Sequence, residues 1–172
     1  MITVVDKKTL RKQALEKRAE FSRDLSIKIM HKILNSPEFK FAKNIALYMP
    51  IKNEIDLTDL FKIRDKNYYL PRCNNNELEF VKFDNNLVEG AFGILEPKGD
   101  KINPEILDIV YIPALMANKK CYRLGYGKGF YDRFFAKNNI KAKKIIVISN
   151  ELISDEFVED KFDFQCDEII SA

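Results

Sequence analysis

The apolar positions near the N-terminus recur at the spacing of amphipathic helices. This spacing predicts two helices, over residues 7–21 and 25–34, and Pro37 ends the second pattern. Their apolar faces consist of Leu10, Ala14 and Phe21 on the first helix and of Ile29 and Ile33 on the second. We therefore expect the chain to open with a pair of amphipathic helices.

Short apolar runs further along the chain predict strands. Three of these runs, 45–50, 68–71 and 109–113, end at a proline. Proline suits the end of a strand because it has no N–H group for the ladder. A fourth run, 145–148, is hydrophobic at every position, which is typical of a strand buried in a parallel sheet.

Helical and weaker strand patterns separate these runs. Residues 57–63 and 129–138 have helical character, 78–83 alternates like an edge strand, and 168–170 resembles a last short strand. Strands that alternate with helices predict an α/β fold. We expect a three-layer α/β/α sandwich with a mostly parallel, Rossmann-like sheet. Since no repeat or linker interrupts the chain, we expect a single domain over residues 1–172.

The charges nearly balance, which argues against one class of partner. The chain has 29 Lys and Arg against 26 Asp and Glu, for a net charge of +3. We therefore expect no nucleic-acid partner, because proteins that bind nucleic acids usually carry a clear excess of basic residues. No leader-like segment opens the sequence and no apolar run is long enough to span a membrane. We expect a cytoplasmic monomer without a membrane partner.

Histidine and cysteine usage argues against several kinds of active site. The sequence has a single histidine, His31, in a predicted helix without a partner motif. Ser-His-Asp catalysis and HExxH zinc chemistry both need histidine at specific places in a motif. The three cysteines are widely separated and form no CxxC pair, so we expect free thiols rather than disulfides or a zinc site.

The strongest chemical signal is a glycine loop, residues 123–132, which reads Arg-Leu-Gly-Tyr-Gly-Lys-Gly-Phe-Tyr-Asp. Glycine lets the backbone approach a ligand closely, and N–H groups that lead into a helix attract anions. Lys128 and Arg123 add positive charge, and an arginine can donate to two phosphate oxygens. The spacing is neither that of a P-loop nor that of a dinucleotide fold, so a flexible connection without a ligand is the alternative to phosphate binding.

Other charged residues have a structural as well as a functional interpretation. Asp132 is predicted to lie in the first turn of a helix, where the helix dipole favours a carboxylate. The alternative is that Asp132 binds Mg²⁺ together with phosphate oxygens of a substrate. Lys7, Arg11 and Arg18 form a basic stripe at spacings of four and seven, which is either a solvated surface or an anion site. Arg72 is either a surface arginine or a contact for an anionic ligand.

The glycine loop resembles the signature R-L-G-x-G-x-G-Y-Y-D of the 5-formyltetrahydrofolate cyclo-ligase family, also called methenyltetrahydrofolate synthetase. Three lesser matches lie in the expected order, at 7–11, 48–56 and 163–167, so the resemblance spans essentially the whole chain. It implies ATP- and Mg²⁺-dependent cyclisation of 5-formyltetrahydrofolate to 5,10-methenyltetrahydrofolate. ADP and phosphate would be released through a phosphorylated formyl intermediate.

The resemblance also implies roles for individual residues. ATP would contact Lys7, Lys8, Thr9, Leu10, Arg11, Arg123, Leu124, Gly125, Tyr126, Gly127, Lys128, Gly129, Phe130 and Tyr131. The folate would contact Met49, Glu54, Tyr126, Gly127, Lys128, Gly129 and Phe130. Lys128, Arg123 and Tyr131 would act in catalysis, whereas Asp132 and Asp167 would bind Mg²⁺.

Three departures from the family pattern affect the substrate contacts. Phe130 replaces the first tyrosine of the Tyr-Tyr pair, Phe162 stands where many members have histidine, and 114–118 matches only loosely. A non-catalytic folate- or nucleotide-binding protein of the same fold is the alternative function. Among enzymes, a sugar-phosphate isomerase or a small kinase is the rival, because fold alone does not determine activity.

Overall fold

The computed structural model describes residues 5–172, which form one central sheet with helices on both faces. The helices are α1 (Lys7–Arg18), α2 (Arg23–Asn35), α3 (Pro37–Phe41) and α4 (Phe130–Lys137). The strands are β1 (Asn44–Ala46), β2 (Asn67–Asn74), β3 (Glu77–Lys82), β4 (Leu87–Glu89), β5 (Leu95–Pro97), β6 (Ile109–Pro113), β7 (Met116–Ala117), β8 (Arg123–Leu124), β9 (Lys143–Ile148) and β10 (Glu168–Ser171). Short 3-10 helices cover Thr58–Lys62, Ala91–Gly93, Pro104–Ile106 and Asn150–Leu152.

The strand order of the central sheet determines where a ligand is expected. The order is β10-β9-β6-β1-β2-β3, and all pairs are parallel except β2 with β3. Among the parallel strands, the direction of winding reverses between β1 and β6. Ligands of such doubly wound sheets bind beyond the carboxyl ends of the strands at this switch point.

Alternating side chains of the strands divide the core into two layers. On β6, Val110 and Ile112 face the cluster that contains Ala14 of α1 and Phe134 of α4. Tyr111, between them, faces the cluster formed with α2 and α3. Successive side chains of a strand point to opposite faces, so each face carries its own helices. The predicted three-layer α/β/α sandwich with a mostly parallel sheet is therefore confirmed.

Several predicted elements are present with different ends or a different form. The first helix ends at Arg18, because the next residues close tighter turns, with Phe21 N–H bonded to the Arg18 carbonyl. The first strand covers only Asn44–Ala46, since the chain leaves the sheet before Pro50. The segment 57–63 forms a 3-10 rather than an α-helix. The hairpins β4–β5 and β7–β8 were not predicted.

Two further features of the structure concern the cysteines and the length of the helices. Cys73, Cys121 and Cys166 are free thiols, as their spacing predicts. Among residues 5–172, no helix combines the length and the apolar character that a membrane crossing requires.

Candidate active site

A cleft of about 910 Å³ opens beyond the carboxyl ends of β1 and β6, at the switch point of the sheet. Tyr48 and Met49, just after β1, line it together with Pro113 and Ala114 at the end of β6. The glycine loop, the first turns of α1 and the segment 160–163 also line it. This volume falls within the usual range for small-molecule sites, so the cleft is the candidate active site.

The glycines shape the loop that closes one side of the cleft. The β7–β8 hairpin follows β6, its second strand begins the loop, and the last residues of the loop form the first turn of α4. Gly127 has a φ of 97° and Gly129, the N-cap of α4, has a φ of 68°. Residues with a side chain rarely adopt these values, so the two glycines permit this path of the backbone.

Arg123 is fixed in the wall of the cleft. It is only 8% exposed, and its Nη1 donates to the Pro113 carbonyl at 3.1 Å. Its guanidinium lies 4.8 Å from the centre of the Tyr131 ring, which adds a cation–π contact. Burial raises the pKa of Tyr131, and Arg123 opposes that rise only in part. Tyr131 is therefore a neutral hydrogen-bond donor at physiological pH.

The first turns of α1 bring two further cations, Lys7 and Arg11, to the cleft. The Nε of Arg11 donates to the Gly125 carbonyl at 2.8 Å, which ties the helix to the loop. Lys7 lies between Asp160 and Asp163, with its Nζ 2.7 Å from each carboxylate. Burial lowers the pKa of Lys7, but the two carboxylates outweigh this effect and raise the pKa overall. Lys7 therefore stays charged in the cleft.

The remaining residues of the 7–11 segment lie outside the cleft lining. Lys8 and Thr9 donate their backbone N–H groups to Asp6, the N-cap of α1. Leu10 is only 1% exposed and packs in the core against Phe157. The structure thus brings Lys7 and Arg11 to the site, whereas the predicted ATP contacts of Lys8, Thr9 and Leu10 stay predictions without a place in the cleft.

Glu54 is a buried carboxylate at the wall of the cleft. Its side chain is 5% exposed, and its Oε2 accepts a hydrogen bond from the Ile51 N–H at 2.9 Å. Arg18, 3.9 Å away, is the cation nearest to it. Burial raises the pKa of Glu54, while the Ile51 N–H and the positive charge of Arg18 oppose the rise.

Tyr126, in the glycine loop, faces this carboxylate. Its ring lies 5.8 Å from the Arg18 guanidinium and 5.3 Å from the Lys52 ammonium group. Burial raises the pKa of its hydroxyl, and the charge of Glu54 raises it further. The arrangement places a carboxylate and a neutral phenol side by side, which suits recognition of a ligand with polar ring atoms.

The structure separates the two predicted metal ligands. Asp132, in the first turn of α4, lines the cleft, and its Oδ1 accepts a hydrogen bond from the Phe164 N–H at 3.1 Å. Asp167 lies just before β10, where its Oδ2 accepts from the Lys144 N–H at 2.7 Å. This is the amino end of the parallel strands, so Asp167 does not line the cleft. Its role in metal binding stays a prediction.

The two alternatives for Arg72 are distinguished by its contacts. Its Nε and Nη2 donate to Glu79 at 2.8 and 2.6 Å, and its Nη1 donates to the Gly99 carbonyl at 2.8 Å. With its donors engaged in this way, Arg72 joins β2 to β3 and to the segment after β5. Its position is structural.

Sequence reasoning did not identify several residues that line the cleft. Phe92 is 64% exposed, has a φ of 60°, and lies 5.5 Å from the Lys128 ammonium group. Other unpredicted lining residues include Lys52, Cys73, Glu96, Arg133 and Lys161. The glycines on both sides of Phe92 were the available signal for a special turn there. The other residues carried no motif, because long-range packing brings them to the site.

Comparison with known proteins identifies one family. A model of the 5-formyltetrahydrofolate cyclo-ligase family matches residues 3–171. The 5-formyltetrahydrofolate cyclo-ligase of Mycoplasma genitalium is 33% identical over 175 residues, which cover 97% of this chain and 98% of the relative. The enzyme of the same name from Mycoplasma pneumoniae is 34% identical over 177 residues, with coverage of 97% and 99%.

Solved structures agree with the family match. A 5,10-methenyltetrahydrofolate synthetase from Mycoplasma pneumoniae superposes with a TM-score of 0.79 at 31% identity, over 96% of this chain and 98% of that one. The synthetase from Aquifex aeolicus superposes with a TM-score of 0.85 at 37% identity, over 96% and 89%. Both agree with the α/β fold described above.

Proposed function

The chain belongs to the 5-formyltetrahydrofolate cyclo-ligase family, and from this premise we propose that it cyclises 5-formyltetrahydrofolate to 5,10-methenyltetrahydrofolate at the expense of ATP. One observation carries the proposal. A single cleft contains Glu54, the glycine loop and the α1 cations Lys7 and Arg11. A folate ring system and a triphosphate can therefore meet in one enclosed volume.

ATP is proposed to lie along the glycine loop. The loop offers backbone N–H groups at the start of α4, where an anion is favoured. Arg11, Lys128 and Arg123 supply positive charge on the same side of the cleft. Charge-assisted hydrogen bonds contribute about 1.5–3 kcal/mol each, so several of them hold a triphosphate firmly.

The folate is proposed to lie against Glu54, Met49 and Tyr126. A carboxylate accepts two parallel hydrogen bonds from a ring that presents adjacent N–H groups. Met49 adds a flexible apolar surface. Phe130 keeps an aromatic ring where the family pattern has tyrosine, so the apolar part of that contact is preserved.

The reaction is proposed to proceed in two steps. The formyl oxygen attacks the γ-phosphorus of ATP, the bond to the bridging oxygen breaks, and ADP leaves. The anilino nitrogen then attacks the activated carbon and loses its proton, and phosphate leaves as the carbon–oxygen bond breaks. Activation is needed because an unmodified amide oxygen is a poor leaving group.

The residues of the cleft suit this chemistry because phosphoryl transfer requires mainly positioning and charge stabilisation. Lys128 is exposed and able to follow the transferred phosphoryl group. Arg123 is held in place by the Pro113 carbonyl and by the Tyr131 ring, so its charge is oriented before the substrates bind. Tyr131 offers a phenol O–H as a hydrogen-bond donor, and burial raises the pKa of this phenol and so favours its neutral form.

Mg²⁺ is proposed to bind beside Asp132. Mg²⁺ prefers one or two carboxylates together with phosphate oxygens and water, and Asp132 lies at the start of α4 in the cleft. Within residues 5–172, His, Cys, Asp and Glu form no group of three or more that would hold a metal by themselves. This donor set fits an ion that arrives with ATP. When bound, Mg²⁺ neutralises part of the phosphate charge.

Near-ultraviolet absorbance tests the proposed function directly. Purified protein is mixed with 5-formyltetrahydrofolate, Mg²⁺ and ATP, and ATP is omitted in the control. We expect an ATP-dependent rise of the methenyl chromophore that is much slower in Asp132→Asn at the same Mg²⁺ concentration and unchanged in Asp65→Asn, an exposed aspartate of the surface. Folate binding without any rise in absorbance would favour the non-catalytic binding protein. The absence of both folate binding and the rise would contradict the assignment of the cleft as the active site.

A further inference from the structure

Arg18, the last residue of α1, is a buried arginine behind the cleft wall. It is 2% exposed, and its Nη2 donates to the carbonyl groups of Ile51 and Lys52 at 2.8 and 2.7 Å. Its Nε and Nη1 have no hydrogen-bond partner among residues 5–172. Burying a charged side chain with free donors is costly, so a solvated surface position does not explain this residue.

The two carbonyl groups belong to a strained turn that carries Glu54. Lys52 and Asn53 have φ values of 46° and 59°, which residues other than glycine seldom adopt. The Glu54 N–H donates to the Ile51 carbonyl at 2.9 Å, and the Ile51 N–H donates back to the Glu54 carboxylate. Arg18 therefore holds the carbonyl side of the turn that orients this carboxylate.

Arg18 also provides charge for the groups that face the cleft. Its Nη2 lies 3.9 Å from Oε1 of Glu54, and its guanidinium lies 5.8 Å from the Tyr126 ring. The Tyr126 hydroxyl is also buried and has no hydrogen-bond partner in the described part of the chain. One guanidinium thus contacts the strained turn, the carboxylate and the glycine loop.

The position of Arg18 prevents direct contact with a substrate. It does not line the large cleft, whereas Glu54 lines both this cleft and a small cavity behind it. That cavity, bounded by Arg18, Glu54 and Ser149 among others, has a volume of about 10 Å³. Such a space holds one water molecule at most. Glu54 therefore separates Arg18 from any ligand in the cleft.

We propose that Arg18 is a positioning residue for the folate substrate: from behind the cleft wall, it fixes the 51–54 turn and presents Glu54 and Tyr126 in the geometry that the folate requires. The proposal rests on the folate-binding role of Glu54 proposed above. It gives the third member of the basic stripe on α1 a function that differs from that of Lys7 and Arg11. The N-terminal part of the stripe faces the phosphates, and its C-terminal residue supports the folate side.

Three substitutions at one position test this inference. Arg18→Gln removes the charge, Arg18→Met keeps most of the length without polar groups, and Arg18→Lys keeps the charge without the planar fork. Arg23→Gln is the matched control, because the Arg23 side chain is 84% exposed on α2. Steady-state kinetics provide KM for each substrate, near-ultraviolet circular dichroism reports folding, and calorimetry measures folate binding without ATP.

A displaced carboxylate is expected to weaken folate binding while ATP binding is preserved. In Arg18→Gln and Arg18→Met, we expect KM for 5-formyltetrahydrofolate to rise about tenfold or more, because small misplacements of binding groups are costly. KM for ATP is expected to change little, and Arg18→Lys is expected to lie between wild type and Arg18→Gln. A residue that only stabilised the fold would lower the active fraction and leave both KM values unchanged.

The outcomes separate this inference from the proposed function. A folate KM equal to that of wild type in any folded variant, Arg18→Lys included, overturns the positioning role. If the wild-type protein binds folate but shows no turnover, calorimetry replaces the kinetic test. A folate affinity equal to that of wild type in any folded Arg18 variant then overturns the positioning role. If wild type binds no folate, the proposed function itself fails, and the role of Arg18 falls with it.

Discussion

At the scale of single residues, Lys128 and Arg123 both place positive charge beside the glycine loop, but their surroundings differ. Lys128 is exposed, and its ammonium group lies 5.5 Å from the centre of the Phe92 ring. Arg123 is buried and bonded to the Pro113 carbonyl. The first side chain is free to follow charge that develops on a phosphoryl group, whereas the second offers a fixed charge.

Lys128→Ala is therefore expected to slow turnover more than it weakens folate binding. Loss of one donor to a developing charge typically lowers kcat by about 10²–10³-fold. Lys12→Ala, which removes an 81% exposed lysine from α1, serves as the control. Initial rates at saturating ATP, with folate binding measured separately, check the expectation. An unchanged kcat in Lys128→Ala would mean that Lys128 has no catalytic role.

The raised pKa of Glu54 predicts a contribution to the pH dependence of stability. Burial raises its pKa above the ordinary value of 4.5, so the folded protein holds this proton more tightly than the unfolded chain. Stability contributed by this group is complete below pH 4.5 and declines as the pH rises through the raised value. Glu54→Gln lacks that decline because it does not ionise.

We expect the unfolding free energy of wild type, relative to Glu54→Gln, to fall as the pH rises from about 4 toward neutrality, as proton linkage requires. Urea unfolding of both proteins at several pH values measures this difference. Because both chains share every other titrating group, the subtraction isolates Glu54. A difference that grows with pH would mean that Arg18 outweighs burial and lowers the pKa of Glu54.

At the scale of elements, α1 and the glycine loop behave as one unit. Arg11 joins them through its bond to the Gly125 carbonyl, and Gly127 leaves the space that the Arg11 side chain occupies. A Cβ atom at Gly127 would come within 3.3 Å of the Arg11 Cζ. The geometry of the proposed ATP site therefore depends on contact between two segments that are distant in sequence.

Gly127→Ala is expected to raise KM for ATP by disturbing this contact. The φ of 97° strains an alanine, and the new methyl group displaces Arg11. Gly99→Ala is the matched control, because Gly99 has a φ of 119° but lies outside the cleft lining. Both variants should lose thermal stability, but only Gly127→Ala should change KM for ATP. Equal ATP kinetics in the two variants would exclude a role of the loop shape in ATP binding.

At the scale of the whole molecule, the parallel sheet separates a functional edge from a structural one. The carboxyl ends of β1 and β6 face the cleft, whereas the amino end of β9 is capped by Asp167. The two carboxylates predicted to bind Mg²⁺ lie in these two different environments. Their variants therefore test how far the metal site extends.

We expect Asp132→Asn to raise the Mg²⁺ concentration needed for half-maximal turnover. We expect Asp167→Asn to lower the melting temperature and to leave the Mg²⁺ requirement unchanged, since its carboxylate bonds the Lys144 N–H. Titration of turnover with Mg²⁺, together with thermal unfolding, measures both effects. A raised Mg²⁺ requirement in Asp167→Asn would assign that residue to the metal site despite its position.

Features that depend on neighbouring residues could be predicted from the sequence. Apolar periodicity predicted α1, α2 and the four main parallel strands, because hydrophobic spacing reflects which face of an element is buried. The glycine loop was recognisable because its chemistry lies in one contiguous stretch, 123–132. The signature motif, together with three shorter matches, was also sufficient to indicate the family.

Features that depend on contacts between distant residues could be recognised only in the folded chain. Arg18 and Arg72 have the same chemistry in sequence, yet one supports the cleft and the other joins strands. Lys7 meets Asp160 and Asp163 only because the C-terminal segment packs beside α1. The burial of a charge is a property of everything folded around it, so no local pattern contains it.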